Sequence, residues 1–239
     1  ELIPCDIDEL KKSLLSKVDL IWFNESNSGS YDLLQSKNKL TVLTKMSITG
    51  NGSIKDGIHG KFYRRAFIKQ NQLLFNPTLR IGEDVIFNFE CLCRAANLNL
   101  STMLIYQRNA SSSVHLFDKY NVTNELNFRK SILQITDLFK SSPEAQNIKT
   151  RFGINGLIFL IECYFAPLVR NGSLSLREAS AKLQKIMLDG HYTGFDTNKF
   201  DNALSKRGKI FRRLINKKRF GMAIILLNTE DKIKGIKRI

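Results

Sequence analysis

Two adjacent carboxylates, Glu83 and Asp84, follow Gly82 and open the apolar stretch Val85-Ile86-Phe87. If Asp84 faces a pocket, it can serve as a general base that takes a proton as an oxygen attacks. In the first turn of a helix the same two acids also favour the positive end of the helix dipole, with no chemistry implied. Both readings require a helix that starts at Glu83. Elsewhere the chemistry-bearing residues are sparse. Cys91 and Cys93, two positions apart, point to roughly opposite sides of a helix, and neither has a Cys or His partner at zinc-ligand spacing. His59 and His191 stand at loop positions, and Trp22 belongs to an apolar strand pattern.

The elements that must position these residues can be read from periodicity. Asp6 suits the N-cap of a helix carrying Ile7, Leu10, Leu14 and Leu15. Asp19 to Phe23 has the composition of a buried strand, and Leu40 to Thr44 predicts a second strand or extended segment. Ser47 to Gly60, with four glycines among Asn and Ser, is loop composition. A short helix is predicted from Lys61, packing Phe62 and Phe67 inward, then a turn at Phe75-Asn76-Pro77. A helix follows over 83–96, with Val85, Phe89, Leu92 and Ala96 on one face. Met103 to Tyr106 reads as a strand. Beyond Asp118 every long periodic segment is helical: 118–141, 147–170, 175–188, 197–204 and 208–227. The fold expected is therefore α/β: a mixed sheet with helices over 1–117, followed by an all-helical region over 118–239. Charge changes at the same place, from +3 over the first part to +12 over the second.

A longer string surrounds the two acids. His59-Gly60-Lys61-Phe62-Tyr63-Arg64-Arg65-Ala66-Phe67-Ile68, then Asn71, Phe75 and Gly82-Glu83-Asp84-Val85-Ile86-Phe87-Asn88, resembles the acceptor-side half of family 2 glycosyltransferases of the GT-A fold. Tyr106-Gln107-Arg108 and Ser111-Ser112-Ser113 continue the likeness, and Glu1-Leu2-Ile3-Pro4 resembles the stretch just after the family's DxD motif. The resemblance covers about residues 1–117 and implies a partial GT-A fold. It implies that Asp84 is the catalytic base of an inverting sugar transfer, with Glu83 orienting it or touching the acceptor. Lys61, Tyr63, Arg64, Arg108 and Ser113 would lie along the acceptor, although an amphipathic helix explains the first three equally well. For the complete enzyme it implies a nucleotide-sugar donor, a divalent metal (Mn or Mg) and a saccharide or lipid-linked acceptor in cell-surface polysaccharide synthesis.

Departures accompany the match. No counterpart of the family's first, nucleotide-binding half with its DxD is present, so a fragment without the donor site is the expectation. Asp6-Ile7-Asp8 spells DxD but falls where a helix should start. His59 stands where the family often has Trp. His115 is placed where a histidine reaches the metal in some GT-A enzymes, and a hydrogen-bonded surface role suits it as well.

The chain has 239 residues, net charge +15, 43% apolar and 10% aromatic content. That excludes an intrinsically disordered chain and allows a substantial core. Four cysteines without a preceding signal sequence suit reduced thiols and a cytoplasmic setting. No apolar run reaches the length of a membrane span, Met222 to Leu227 being the longest. Lys206, Arg207, Arg212, Arg213, Lys217 and Lys218 form, with Ile210, Phe211, Leu214 and Ile215, a basic amphipathic helix. Such a helix serves either as the solvated face of a packed domain or as a dock for the anionic inner face of the cell membrane. Nucleic acid is disfavoured, since no binding motif and few interleaved aromatics accompany the charge. Two further expectations are pairing between chains across an uncovered sheet edge, and, as the alternative to catalysis, a non-catalytic module binding a membrane or partner.

Overall fold

In a computed structural model of the chain, residues 7–15, 17–23, 25–26, 28–47, 54–105, 120–139, 142–188, 192 and 206–233 are described. The chain is α/β, a mixed four-stranded sheet with helices followed by a largely helical region. It divides into two compact units. The first comprises Glu1–Pro77, Gly82–Ser112 and Ile135–Ala145; the second comprises Thr78–Ile81, Ser113–Gln134 and Gln146–Ile239. The boundary drawn from sequence at Phe117 lies outside the described residues.

The first unit is built on α1 (Ile7–Leu15), β1 (Leu20–Trp22), β2 (Gly29–Asp32), α2 (Ser36–Met46), β3 (Lys61–Tyr63), α3 (Arg65–Gln70), α4 (Glu83–Arg94) and β4 (Asn97–Leu100). The sheet order is β2-β4-β1-β3, with β1 parallel to β4 and the outer pairs antiparallel. All three residues of β1 are buried, as a central strand covered on both faces must be. Ile21 and Phe23 pack with Ile105, while Leu20 and Trp22 point to the opposite face. Register then decides β3: Trp22 stands opposite Lys61 and Leu20 opposite Tyr63, so Lys61 and Tyr63 share one face and Phe62 takes the other, edge-on to Phe23.

Asp19 ties these strands together. Its carboxylate accepts from the Arg64 guanidinium and, at 2.7 Å, from the Ala96 N–H. Its carbonyl accepts from the Arg64 N–H at 2.9 Å, and its own N–H donates to Asn97 Oδ1 at 2.6 Å.

Several sequence expectations are corrected here. Leu40 to Thr44 is the middle of helix α2, not a strand: Val42, Leu43 and Met46 are buried at helical spacing, which outweighs the strand preference of the β-branched residues. Lys61–Tyr63 is a strand, because pairing with β1 wins over the helical pattern, and the helix begins only at Arg65. Phe62 is accordingly not an inward helical residue. The strand near Met103 lies earlier, at Asn97–Leu100, where Leu98 and Leu100 alternate inward and two asparagines mask the pattern. Edge strand β2, short and polar, gave no signal.

The second unit is helical. It uses α5 (Val122–Asp137), α6 (Pro143–Leu160), a π-helical turn at Ile161–Phe165, α7 (Ala166–Arg170), α8 (Leu176–Met187), α9 (Lys206–Asn216) and α10 (Phe220–Ile233), α5 and α6 each having a part assigned to the first unit. The π turn has a local cause: Pro167 has no N–H to donate and crowds the carbonyl four residues earlier, at Cys163, inside the widened turn. Helix α8 begins with a reciprocal cap between Ser175 and Glu178. The helix expected over 208–227 is two helices. Their break at Lys217-Lys218-Arg219 places Lys218 at φ +53°, with the Lys218 and Arg219 N–H groups closing on Ile215 and Leu214. The helix expected over 197–204 lies outside the described residues. One further expectation fails: Pro143–Arg170, 28 residues, is long and apolar enough to cross a membrane, though half of its most apolar stretch is buried within the protein. Ile154, Leu157, Ile161 and Phe165 from it join Phe211 and Ile224 in the core of this unit.

A carboxylate lies inside that core. Glu125, fully buried, accepts from the Tyr120 hydroxyl and, at 2.8 Å, from the Tyr192 hydroxyl. Burial pushes its pKa up to about 7, against the lowering effect of the tyrosine hydrogen bonds and Arg129. Gly156 leaves the room: a Cβ there would fall 2.3 Å from Glu125 Oε1. Because the folded pKa exceeds the unfolded value of 4.5, Glu125 contributes stability that is complete below pH 4.5 and lost as pH rises through about 7. The expected outcome is a difference between wild type and Glu125→Gln that changes by about 3 kcal/mol across that window, measured by urea unfolding followed at helical circular dichroism. Gly156→Ala should cost roughly 3 kcal/mol, and less in a Glu125→Ala background.

Candidate functional site

The two acids singled out by sequence open helix α4. Gly82 takes φ +86° just before it, a left-handed conformation that glycine adopts without strain. Glu83 and Asp84 occupy the first turn, both half-buried, and Asp84 Oδ1 accepts the Val85 N–H at 2.8 Å. The next turns of α4 present Phe87 and Asn88 to Tyr63 on β3. The Tyr63 hydroxyl donates to Asn88 Oδ1, and its ring stands edge-on to Phe87 at 5.3 Å.

Asn88, buried, has a second task. Its amide nitrogen donates to the carbonyls of Asp56 at 2.6 Å and Gly57 at 3.1 Å, which seats residues 54–60 beside the start of α4. The approach is close, for a Cβ at Gly57 would lie 3.4 Å from Asp84 Oδ2. Asp56 thereby joins Asp84. Its residue keeps an open edge to solvent, yet the protein packed around the carboxyl raises its pKa above the usual value, and the Asp84 carboxylate raises it further. Burial likewise pushes the Tyr63 hydroxyl up, so this tyrosine stays a neutral donor at ordinary pH. Phe75 stacks on Phe87 with centroids 4.3 Å apart and is itself 45% exposed. The arrangement offers two carboxylates, an aromatic ring and a half-open approach, a set suited to holding a polyhydroxylated molecule and removing a proton from it.

The remaining candidates are placed differently. Lys61 is buried rather than offered to an acceptor: its ammonium lies 3.3 Å from Glu25 Oε1, donates to the Lys55 carbonyl at 2.8 Å and sits 3.5 Å over the Trp22 ring. Burial lowers its pKa to about 8, against the raising effect of Glu25. Arg64 is engaged with Asp19, its side chain 45% exposed. Arg108, Ser113, His115, Asp6 and Cys5 lie outside the described residues. Among the described residues no three His, Cys, Asp or Glu side chains converge, so these residues provide no fitting set for the divalent metal that the resemblance implies. Cys91 and Cys93 are free thiols, with pKa values pushed by burial to about 12 and about 11. Of the basic tail, Lys206, Arg213, Lys217 and Lys218 are exposed, while Arg212 is buried at 2% and therefore unavailable to a membrane; the Arg207 side chain is not among those described.

Asp56, Asn88's clamp and Glu25 escaped sequence reasoning. Asp56 stands in a glycine-rich loop, 28 positions from Asp84, where no spacing rule connects them. The chain matches no model of a known protein family, and no curated protein matches it.

Glu25 and Lys61 form a buried pair, and breaking one half leaves a charge without a partner. Glu25→Gln should therefore cost about 3 kcal/mol, whereas the apolar replacement of both, Glu25→Leu with Lys61→Met, should recover most of it, as read from urea-unfolding midpoints.

Proposed function

We propose that the chain is the acceptor-side, base-carrying part of an inverting sugar transferase of the GT-A kind, moving a sugar from a nucleotide-sugar donor to a saccharide or lipid-linked acceptor. What supports this reading is the convergence of Tyr63, Asp84 and Asn88, all drawn from the resembling string, around one half-open start of α4. In this reading the acceptor hydroxyl oxygen forms a bond to the anomeric carbon while the bond from that carbon to the departing nucleotide diphosphate breaks. The hydroxyl proton passes to Asp84, and attack from the face opposite the leaving group inverts the configuration. Glu83, in the same helical turn, either orients Asp84 or contacts the acceptor.

Asp84→Asn in the complete transferase is expected to lower turnover by about 100-fold or more, with Glu83→Gln costing less, in an assay of sugar transfer. Near-normal turnover of Asp84→Asn overturns the assignment.

A second reading, a module that docks on the anionic inner face of a membrane, is favoured by one observation: Lys206, Arg213, Lys217, Lys218 and Arg219 are exposed, and Met222 and Ile225 are about half exposed nearby. Each such cation near anionic headgroups contributes on the order of 1 kcal/mol. Sedimentation with vesicles of phosphatidylglycerol, but not phosphatidylcholine, that weakens with salt and with Lys217→Glu/Lys218→Glu is the expected outcome; equal sedimentation with both lipids rejects it.

A further inference from the structure

Phe75 is exposed beside the most strongly clamped part of the first unit. One face of its ring lies nearly parallel to Phe87, at an interplanar angle of 14°, so the ring is held flat, while 45% of the residue remains open to solvent. Phe87 is itself fixed from the side by Tyr63. On α4, Phe87 lies three positions after Asp84, which puts the ring stack on the neighbouring turn of the same face. Asp56 borders Asp84 on the loop that Asn88 fastens by two carbonyls. A rigid, open aromatic face next to two carboxylates is the combination that recognises a pyranose: the ring packs the sugar's C–H face, and the carboxylates accept from hydroxyls.

We infer that Phe75 and Asp56 determine acceptor specificity, Phe75 as a stacking platform and Asp56 as a second hydroxyl-binding carboxylate beside Asp84, and that the sugar they take is an uncharged pyranoside. The inference rests on the transferase reading for the identity of the site. The charge argument is independent of that reading: a uronic acid or phosphorylated sugar would bring a further negative group against two carboxylates, of which Asp84 already pushes the Asp56 pKa up. Lys61 offsets part of this through its coulombic effect on Asp56, but its ammonium is held by Glu25 and the Lys55 carbonyl and does not reach out to a ligand. A neutral sugar meets no such penalty and uses both carboxylates as acceptors.

The test is binding by the chain as it stands, followed by saturation-transfer and chemical-shift NMR with methyl β-glucopyranoside and, in parallel, methyl β-glucuronide. The neutral glycoside is expected to bind about tenfold more tightly at pH 7, and the gap should narrow in Asp56→Asn as one negative charge is removed. Phe75→Ala should weaken the neutral glycoside by roughly tenfold in a chain that stays folded by circular dichroism, and Phe75→Trp should restore binding. Equal binding of the two glycosides, indifference to Phe75→Ala, or no binding of either overturns the inference. The transferase reading fails separately: a complete enzyme that keeps its turnover with Asp84→Asn sinks that reading even if the chain selects neutral sugars through Phe75.

Discussion

Asp19 is the point on which the first unit is assembled. A single side chain and its own peptide reach the end of β3, the end of α4 and the first residue of β4, segments separated from it by as many as 78 positions along the chain. Each contact is charge-assisted or made in a nearly buried setting, where such bonds are stronger than in water. The consequence runs outward. With β3 held against β1, Tyr63 is delivered to α4; with α4 held at its C-terminal end, Phe87 and Asn88 face Tyr63; with Asn88 in place, the loop carrying Asp56 closes on Asp84. The candidate site is thus the far end of a chain of constraints that starts at the opposite end of the helix.

The two units solve the problem of a buried acid in contrasting ways. In the first, Glu25 meets a cation, Lys61, and the pair is completed by backbone groups of Lys55 and by the Trp22 ring. In the second, Glu125 meets two tyrosine hydroxyls, the bare backbone of Gly156 and the field of Arg129, which also donates to the Lys149 carbonyl. The tyrosine hydroxyls and Arg129 only partly offset the burial of Glu125, and at neutral pH its carboxyl is left near the balance of protonated and ionised forms. Near neutrality the interior of the helical unit responds through a carboxyl, Glu125 at about 7, and that of the first unit through an ammonium, Lys61 at about 8.

How much of this was legible in the sequence depended on the distance between partners. Glu83 and Asp84 at a helix start, the helix over 175–188 and the helical character of the second part are local patterns, and they are found where the spacing puts them. What misled was local preference opposed by tertiary pairing: Lys61 to Tyr63 has helical spacing but is claimed by β1, and Leu40 to Thr44 has strand composition but buries a helical stripe. Lys61 shows the same limit at the level of chemistry, since a lysine in a sugar-transferase-like string suggests a ligand contact, and only the cross-strand register places it over Trp22. Asp56 could not be found at all without the fold, because the glycines around it announce a loop and say nothing of where the loop closes.

Trp22 is the chain's single tryptophan, fully buried at the centre of the sheet, with an ammonium poised over its face. Its position makes the molecule optically one-sided. Indole emission belongs wholly to the first unit and is shielded from water, while the helical unit, which has tyrosines and phenylalanines only, is dark at that wavelength. Loosening of the sheet can therefore be followed by indole emission with no contribution from the helical unit.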